Sequence, residues 1–400
     1  MDRIQPGTPS YKKVLTCMML GSLTTFAVLY SPQPLMALFS EQFHISASTA
    51  SLSISFAAIT MAVCLLIFSI LANRWGRKRI MSLSLIGTSC LAILSSLSQD
   101  FHIFLVIRLL EGFTLAGYPA TAMAYLNEEM TSDSIGPVIG IYVAGNALGG
   151  FFGRVIIGAL TDLFAWNAAF FALGILGLAC SLWFWRNLPV SKHFTQAPLS
   201  VFGTFRRFRR VFTKELNGIY AISFIHMGLY TVMLNYIGYP LSRPPYHLSQ
   251  TLLGFLFVLN LVGTYSAPLF GRLSARYSRL RLIFIAYTII FAGALLTLPS
   301  PFIIKLLGLL TFLFGCFAGN SITNGWSGIL APLENKAEAA SLYLLFFYSG
   351  ASFIGWGGGF FWTHWGWPSI VGLLCVLAVS SMILGWFVQK AADSRAMKGR

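Results

Sequence analysis

The chain has 400 residues, of which 56% are hydrophobic and only 10% are charged, and its mean hydropathy is +0.73. A soluble protein of this length needs far more charge to cover its surface, so the composition excludes that class and indicates an integral membrane protein. The formal net charge of +15 would suit a nucleic-acid-binding protein, but the positions of the basic residues decide against that function.

A helix that crosses a bilayer needs ~20 mostly apolar residues, and twelve stretches meet this requirement. The first is too long for a cleaved signal peptide and lacks a small-residue cleavage site, so we expect a retained signal anchor. The sequence thus predicts an all-α integral membrane protein with twelve transmembrane helices. The predicted spans are residues 14–39, 48–71, 79–98, 101–127, 134–161, 165–187, 215–241, 249–272, 280–299, 302–328, 338–362 and 366–389.

The basic residues are distributed asymmetrically between the two sides of these spans. Of the 27 Lys and Arg, 23 lie in the two terminal segments or in the loops that follow even-numbered spans or precede span 11. The positive-inside rule then places both termini in the cytoplasm. We expect the basic stretch RRFRR (206–210) to meet anionic lipid head groups, and no nucleic acid as a partner.

Two halves of the chain share one plan. The stretch SILANRWGRKRI (69–80) follows span 2, and the similar GRLSARYSRLRL (271–282) follows span 8, about 200 residues later. We therefore predict two pseudo-symmetric six-helix bundles, 1–187 and 215–400, joined by a basic cytoplasmic linker, 188–214. Such repeats are typical of transporters, with a substrate site near the membrane midplane between the bundles.

Motifs for catalysis are missing from the sequence. It contains no GxxxxGK[ST], GxSxG or HExxH stretch, and its six cysteines lie in apolar runs without a CxxC pair. We expect no enzymatic activity, no catalytic residue, no metal and no cofactor, and we expect an ion gradient, most simply of protons, to supply energy.

Two charged residues lie inside span 4, in IRLLEGFTLAG (107–117). Arg108 and Glu111 are three residues apart, so they share one helix face, and that face must point into the bundle because a lone charge in lipid costs at least ~2.5–3.5 kcal/mol. One interpretation is a buried structural ion pair. The other is that Arg108 controls the protonation of Glu111, which would carry the coupling proton.

Three further ionisable residues have two interpretations each. Arg154 in span 5 either extends to the membrane surface or faces the cavity, where it would pair with Glu111 or bind an anionic substrate group. Asp162 is expected to be a solvated helix end. His226 in span 7 is either a structural residue or a proton carrier.

Several stretches resemble motifs of the major facilitator superfamily. Its signature loop has Gly, an acidic residue four positions on, and then basic residues and Gly. In SILANRWGRKRI, Ser69 stands for the Gly and Asn73 for the acid, and the matching residues are Arg74, Gly76, Arg77 and Lys78. The second copy has Ala275 at the acidic position and keeps Gly271, Arg276 and Arg279. RLLEG (108–112) is similar to the family's fourth span, and GNALGG (145–150) to its antiporter motif, with Asn146 in place of Pro.

The resemblance covers essentially the whole chain and is strongest to a bacterial inner-membrane branch near the drug–proton antiporters. It implies a facilitator fold, a monomer in the bacterial inner membrane, and export by proton exchange. It also implies that the basic loop closes a cytoplasmic gate, whereas a plain topology anchor is the alternative. The residues it assigns to gating and helix packing are Asn73, Arg74, Gly76, Arg77, Gly145, Gly149, Gly150, Arg276 and Arg279.

Polar and aromatic residues recur in the spans that would line a central cavity. Each alone suits interhelical hydrogen bonding or an aromatic belt, but together they suit a moderately apolar organic substrate. The expected cavity residues are Tyr30, Gln33, Tyr118, Asn146, Arg154, Asn235, Tyr236, Tyr239, Asn260, Asn320, Asn324 and Tyr343.

The leading prediction is secondary active efflux of a small organic compound in exchange for protons. The sequence leaves open uptake or sugar-like metabolite export by the same fold, lipid translocation, and a non-transporting membrane sensor.

Overall fold

The computed structural model describes residues 3–191, 193 and 209–398. Most of the predicted linker, including Arg206–Phe208 of the basic stretch, lies outside these residues, as does the side chain of Asn73. Within the described ranges the backbone is helical, and a single bridge between Ile4 and Met130 is its only extended pairing. An all-helical architecture is therefore confirmed.

Eleven helices in the described ranges are long and apolar enough to cross a membrane. We number the α-helices in chain order. They are α1 Pro9–Tyr30, α2 Met36–Gln42, α3 Ala47–Trp75, α4 Arg77–Ser95, α5 Phe101–Glu129, α6 Ser132–Leu163, α7 Trp166–Asn187, α8 Lys214–Tyr236, α9 Gly238–Ser242, α10 Gln250–Phe255, α11 Gly263–Leu273, α12 Arg279–Leu296, α13 Phe302–Leu330 and α14 Lys336–Lys398. Short 3₁₀ segments occupy Gln33–Leu35, Leu256–Val262 and Leu333–Asn335.

The last helix, α14, is broken in its middle. Gly366 has φ 66° and ψ −156°, which is outside the helical region and is accessible mainly to glycine. Each of the two parts is longer than the ~20 residues that a bilayer crossing requires. The break supports the prediction of separate spans 11 and 12 in this region.

Side-chain caps and prolines set several helix ends. Asp100 accepts hydrogen bonds from the backbone N–H groups of His102 (2.6 Å) and Ile103 (3.3 Å), which fixes the start of α5. Thr213 caps α8 in the same way. The regular helix α1 ends at Tyr30, just before the prolines of SPQP (31–34), because proline has no N–H to donate.

The described chain divides into two compact units. The first contains Met1–Ile45, Leu52–Leu199 and His247–Phe257, and the second contains Ser46–Ser51, Ser200–Tyr246 and Val258–Arg400. In the first unit α1 packs on α6, and α4 packs on both α5 and α7. In the second, α8 packs on α14, and α13 packs on α11 and α12.

Candidate functional site

The two charges of span 4 lie in the core of the first unit. Arg108 and Glu111 both have 0% side-chain exposure, and their side chains form an ion pair within α5. Glu111 also accepts a hydrogen bond from the Ser95 hydroxyl of α4 (3.1 Å). The expectation that this helix face points into the bundle is therefore confirmed.

Arg108 bonds to three backbone carbonyls as well. It donates to the carbonyl oxygens of Ser53 (2.6 Å), Val28 (3.2 Å) and Leu29 (2.8 Å). Val28 and Leu29 belong to the last turn of α1, where Pro32 has no N–H to offer the Val28 carbonyl and the regular helix ends at Tyr30. The guanidinium thus stabilises the broken end of span 1 and joins it to α3 and α5.

Small residues let α3 and α4 approach this part of α5. A Cβ added at Gly112 would lie 2.5 Å from the Ala57 carbonyl oxygen and 2.8 Å from Thr60 Cβ. A Cβ at Gly117 would collide with Ser84 of α4. The close packing of α3 and α4 on α5 therefore depends on these two glycines.

Arg154 lies in a second buried cluster of the first unit. Its side chain donates to the Gln33 amide oxygen through Nε (2.8 Å) and Nη2 (2.5 Å), and to the Gly150 carbonyl through Nη1 (2.6 Å). The guanidinium carbon lies 4.4 Å from the Tyr30 ring centroid and 4.1 Å from that of Phe257.

This environment decides between the two interpretations of Arg154. Its exposure is only 3%, so the side chain does not extend to the membrane surface. Its observed partner is Gln33, whereas the carboxylate of Glu111 is held by Arg108 and Ser95. Arg154 and Gln33 are 121 positions apart, and the sequence did not reveal the pair.

The remaining candidate cavity residues of the first unit differ in their surroundings. Tyr118 is fully buried and donates to the Met18 carbonyl (2.7 Å), so it packs α5 on α1. Asn146 is partly exposed, and its amide oxygen is buried without a hydrogen-bond partner in the described structure.

In the second unit, several candidate polar residues bond to aromatic hydroxyls. Tyr343 donates to Asn320 (2.9 Å), and Tyr230 donates to Asn260 (2.8 Å). Tyr236 donates to the Gly355 carbonyl (2.8 Å). These contacts agree with interhelical bonding for each residue taken singly. Of the other candidates, Asn235 and Tyr239 are buried and Asn324 is exposed.

The imidazole of His226 lies among these residues of the second unit. The ring is 3% exposed, and its Nδ1 is 3.0 Å from the Tyr287 hydroxyl of α12. This contact gives His226 a structural partner within the bundle.

The basic segment at the start of α4 forms an ion pair with the end of α5. Arg77 binds Glu128 at the end of α5 through Nε (3.2 and 3.3 Å) and Nη2 (2.7 Å). Gly76 has φ 86° and ψ 147°, a conformation that other residues rarely adopt. Arg77 is therefore paired with an acid of α5.

The other basic candidates of the two loops lie nearer the surface. Arg74 and Arg276 are exposed, and Arg279 is partly exposed.

The small residues of GNALGGFFGR form the contact between α6 and α1. A Cβ added at Gly149 would lie 2.6 Å from the Leu23 carbonyl oxygen, and one at Gly153 would lie 2.5 Å from Ala27 Cα. Gly145 is equally close to Ser22, whereas Gly150 lies beside Arg154.

A similar contact occurs in the second unit, where α14 meets α8. A Cβ at Gly355 would lie 2.9 Å from Thr231 Cγ2, and one at Gly358 would lie 2.7 Å from the Tyr236 ring. Both units therefore contain a helix contact that depends on glycine.

Asp162 has a role that the sequence did not suggest. Its carboxylate is exposed, but it accepts hydrogen bonds from the backbone N–H groups of Gln250 (3.0 Å) and Thr251 (2.7 Å) and from the Thr251 hydroxyl (2.5 Å). It therefore caps α10 rather than being merely a solvated end of α6. The first unit contains both helices.

Long apolar helices with fully buried charges and glycine-mediated contacts define a polytopic membrane protein. The family model described as Major Facilitator Superfamily matches residues 18–355, and the chain belongs to this family.

Relatives share its full length. The chain is 37% identical to the uncharacterized MFS-type transporter YybF of Bacillus subtilis, over 100% of both chains. It is 35% identical to the inner membrane transport protein YnfM of Escherichia coli, over 96% of this chain and 92% of the relative. A crystal structure of the peptide transporter POT, in complex with sulfate, has the same fold with a TM-score of 0.77, at 12% identity over 98% of this chain and 96% of that one. The chain is accordingly a membrane transporter and not an enzyme.

Proposed function

We propose that this transporter exports a small, moderately apolar organic compound in exchange for protons, by alternating access, in the bacterial inner membrane. The buried ion pair of Arg108 and Glu111 carries this proposal, because it is the acid–base pair placed where a proton could act on the helix packing. Two similarities support it further: that to the inner membrane protein YnfM, and that of GNALGG to the antiporter motif.

Proton binding at Glu111 would act on the break in span 1. Protonation neutralises the carboxylate and removes the anionic partner of Arg108, whereas the three backbone carbonyls keep their bonds to the guanidinium. Two of these carbonyls, those of Val28 and Leu29, belong to the last turn of α1. The protonation state of Glu111 therefore changes the electrostatic balance at the point where span 1 loses its helical hydrogen bonds.

The same break connects the proton site to a candidate substrate site. Tyr30 directly follows Leu29, Gln33 lies three residues further on, and both contact Arg154. A shift of the break would therefore move the ring and the amide that position the Arg154 guanidinium. Aromatic rings around a single cation suit an organic substrate with one polar or anionic group.

The test begins with purified protein and a panel of organic compounds in a thermal-shift screen. The compound that stabilises the protein most is then loaded into proteoliposomes, and both its movement and the internal pH are followed. We expect an imposed proton gradient to drive the compound against its own gradient, with protons moving in the opposite direction. Movement only down the compound's own gradient, without proton flux, would refute the exchange mechanism.

Reversing the imposed gradient separates export from uptake. Exchange requires compound and protons to cross in opposite directions, whereas a symporter moves them together. A proton gradient that draws the compound in with the protons would replace the export proposal with uptake.

A further inference from the structure

A pocket in the first unit lies beside the basic loop, away from the buried charges. It has a volume of about 400 Å³ and lies between the start of α4, the end of α7 and the segment that follows α7. Both helices are candidate membrane spans, so the pocket lies at the ends of two spans. Its polar lining includes Lys78, Arg79, Ser82 and Ser191.

Three cationic residues and no acidic one are among the described residues that line this pocket. Arg77 also lines the pocket, but its guanidinium is already bound to Glu128. Lys78 and Arg79 have no ion pair among the described residues. Two cationic side chains are therefore available to a ligand.

The start of α4 adds donors of the same character. Its first backbone N–H groups belong to residues that line the pocket, and Gly76, at the N-cap position, has no side chain to accept from them. A helix N-terminus carries a partial positive charge and binds phosphate readily.

Two hydroxyls point independently to a missing partner. Ser82 has 2% exposure, and its oxygen makes no hydrogen bond in the described structure. The Ser191 oxygen is also buried and has no hydrogen-bond partner among the described residues. A buried polar group without a partner costs ~1–3 kcal/mol, so two at one cationic pocket indicate a bound group with several acceptor oxygens.

The apolar side chains that line the pocket indicate which kind of phosphate it would bind. Trp75, Leu83, Trp185 and Val190 line the pocket and are 52%, 54%, 57% and 65% exposed. Tryptophans are enriched where membrane-spanning helices meet the lipid head groups. A soluble phosphate would leave this rim unused, whereas a lipid phosphate with its glycerol and upper acyl chains would cover it.

We propose that this pocket binds the phosphate of an anionic phospholipid. Lys78, Arg79, the first amides of α4 and the Ser82 hydroxyl hold the phosphate oxygens, and the two tryptophans flank the glycerol backbone. Basic pockets between transmembrane helices are known to select lipids with anionic head groups. The pocket is separate from the Arg108 and Arg154 clusters, so the proposal does not depend on the proposed transport mechanism.

The test compares lipid binding to the full-length protein and its variants by native mass spectrometry and thermal shift in detergent. The ligands are phosphatidylglycerol, zwitterionic phosphatidylcholine and soluble glycerol 3-phosphate. The pocket variant is Lys78→Gln with Arg79→Gln. The matched control is Arg272→Gln with Arg276→Gln, which removes two exposed cations from the second basic loop.

We expect the wild type to bind phosphatidylglycerol at least tenfold more tightly than phosphatidylcholine. The pocket variant should lose most of this preference, and the control should keep it. Equal preference in the pocket variant and the wild type would overturn the assignment. Stabilisation by glycerol 3-phosphate equal to that by the lipid would show a soluble anion site instead.

Ser82→Ala tests whether the Ser82 hydroxyl binds the lipid phosphate. If the hydroxyl serves the lipid phosphate, this variant binds phosphatidylglycerol severalfold more weakly, while its melting temperature in phosphatidylcholine does not fall. Unchanged phosphatidylglycerol affinity in Ser82→Ala would show that Ser82 does not bind the lipid. The unpartnered Ser82 hydroxyl would then no longer support the proposal.

Discussion

Replacing Arg108 should destabilise the protein much more than replacing Glu111. Arg108→Gln removes the ion pair and the bonds to the carbonyls of Ser53, Val28 and Leu29. The Glu111 carboxylate then stays buried, with only the Ser95 hydroxyl as a hydrogen-bond partner in the described structure. Stranding one member of a buried ion pair costs about 3–5 kcal/mol. Glu111→Gln retains an amide oxygen near the guanidinium, and Arg108 keeps its bonds to three carbonyls. We therefore expect this variant to lose only about 1–2 kcal/mol of the free energy of unfolding.

The free energy of unfolding in mixed detergent–SDS micelles measures both costs. The double variant should be no less stable than Arg108→Gln alone, because it removes the stranded carboxylate, and a cycle over the four proteins isolates the coupling. Arg276→Gln, an exposed cation, is the control and should change stability by less than about 0.5 kcal/mol. Equal costs for Arg108→Gln and Glu111→Gln, or additive costs in the double variant, would refute this account of the pair.

Three further predictions concern helix contacts. Gly149→Ala should lower the free energy of unfolding by about 1–3 kcal/mol, because its Cβ would lie 2.6 Å from a backbone oxygen of α1. Gly140→Ala on the same helix should not destabilise the protein, because its Cβ would meet no neighbouring atom of the described residues within 4 Å. Equal free energies of unfolding for the two variants would contradict the packing. Gly76→Val should reduce the rate of substrate transport with little loss of membrane insertion, because φ 86° strains any side chain, and normal transport by this variant would remove the loop from gating. Asp162→Ala should lower the free energy of unfolding by about 1 kcal/mol and increase hydrogen exchange at the first amides of α10. Unchanged exchange at these amides would show that the cap is unimportant.

The sequence predicted contacts that depend on local spacing. Arg108 and Glu111 are one helix turn apart, so their shared face and its burial follow from helical geometry and the cost of charge in lipid. The small residues of GNALGG are four apart, so their common face and a close helix contact also follow. Both predictions needed only the helix period and, for the charges, the cost of burying them in lipid.

The partners of the other charges could not be predicted in this way. Arg77 pairs with Glu128, which is 51 positions away, and Arg154 pairs with Gln33, which is 121 positions away. Asp162 binds the start of α10, 88 and 89 positions away. Such pairs depend on which helix ends meet in the folded chain, and a helical period carries no information on that. The prolines of YSPQP did indicate that span 1 is broken and that its last carbonyls need other donors, and Arg108 is one of these donors.

Proton release on substrate binding, compared between the wild type and Glu111→Gln, tests the central claim most directly. Purified protein in weakly buffered detergent is mixed with the strongest compound from the thermal-shift screen, and a pH indicator records the protons released. Glu334→Gln, which changes an exposed acid, is the matched control. We predict proton release by the wild type and by the control, and binding without release by Glu111→Gln. Proton release by Glu111→Gln equal to that of the wild type would contradict the role of Glu111 as the proton carrier.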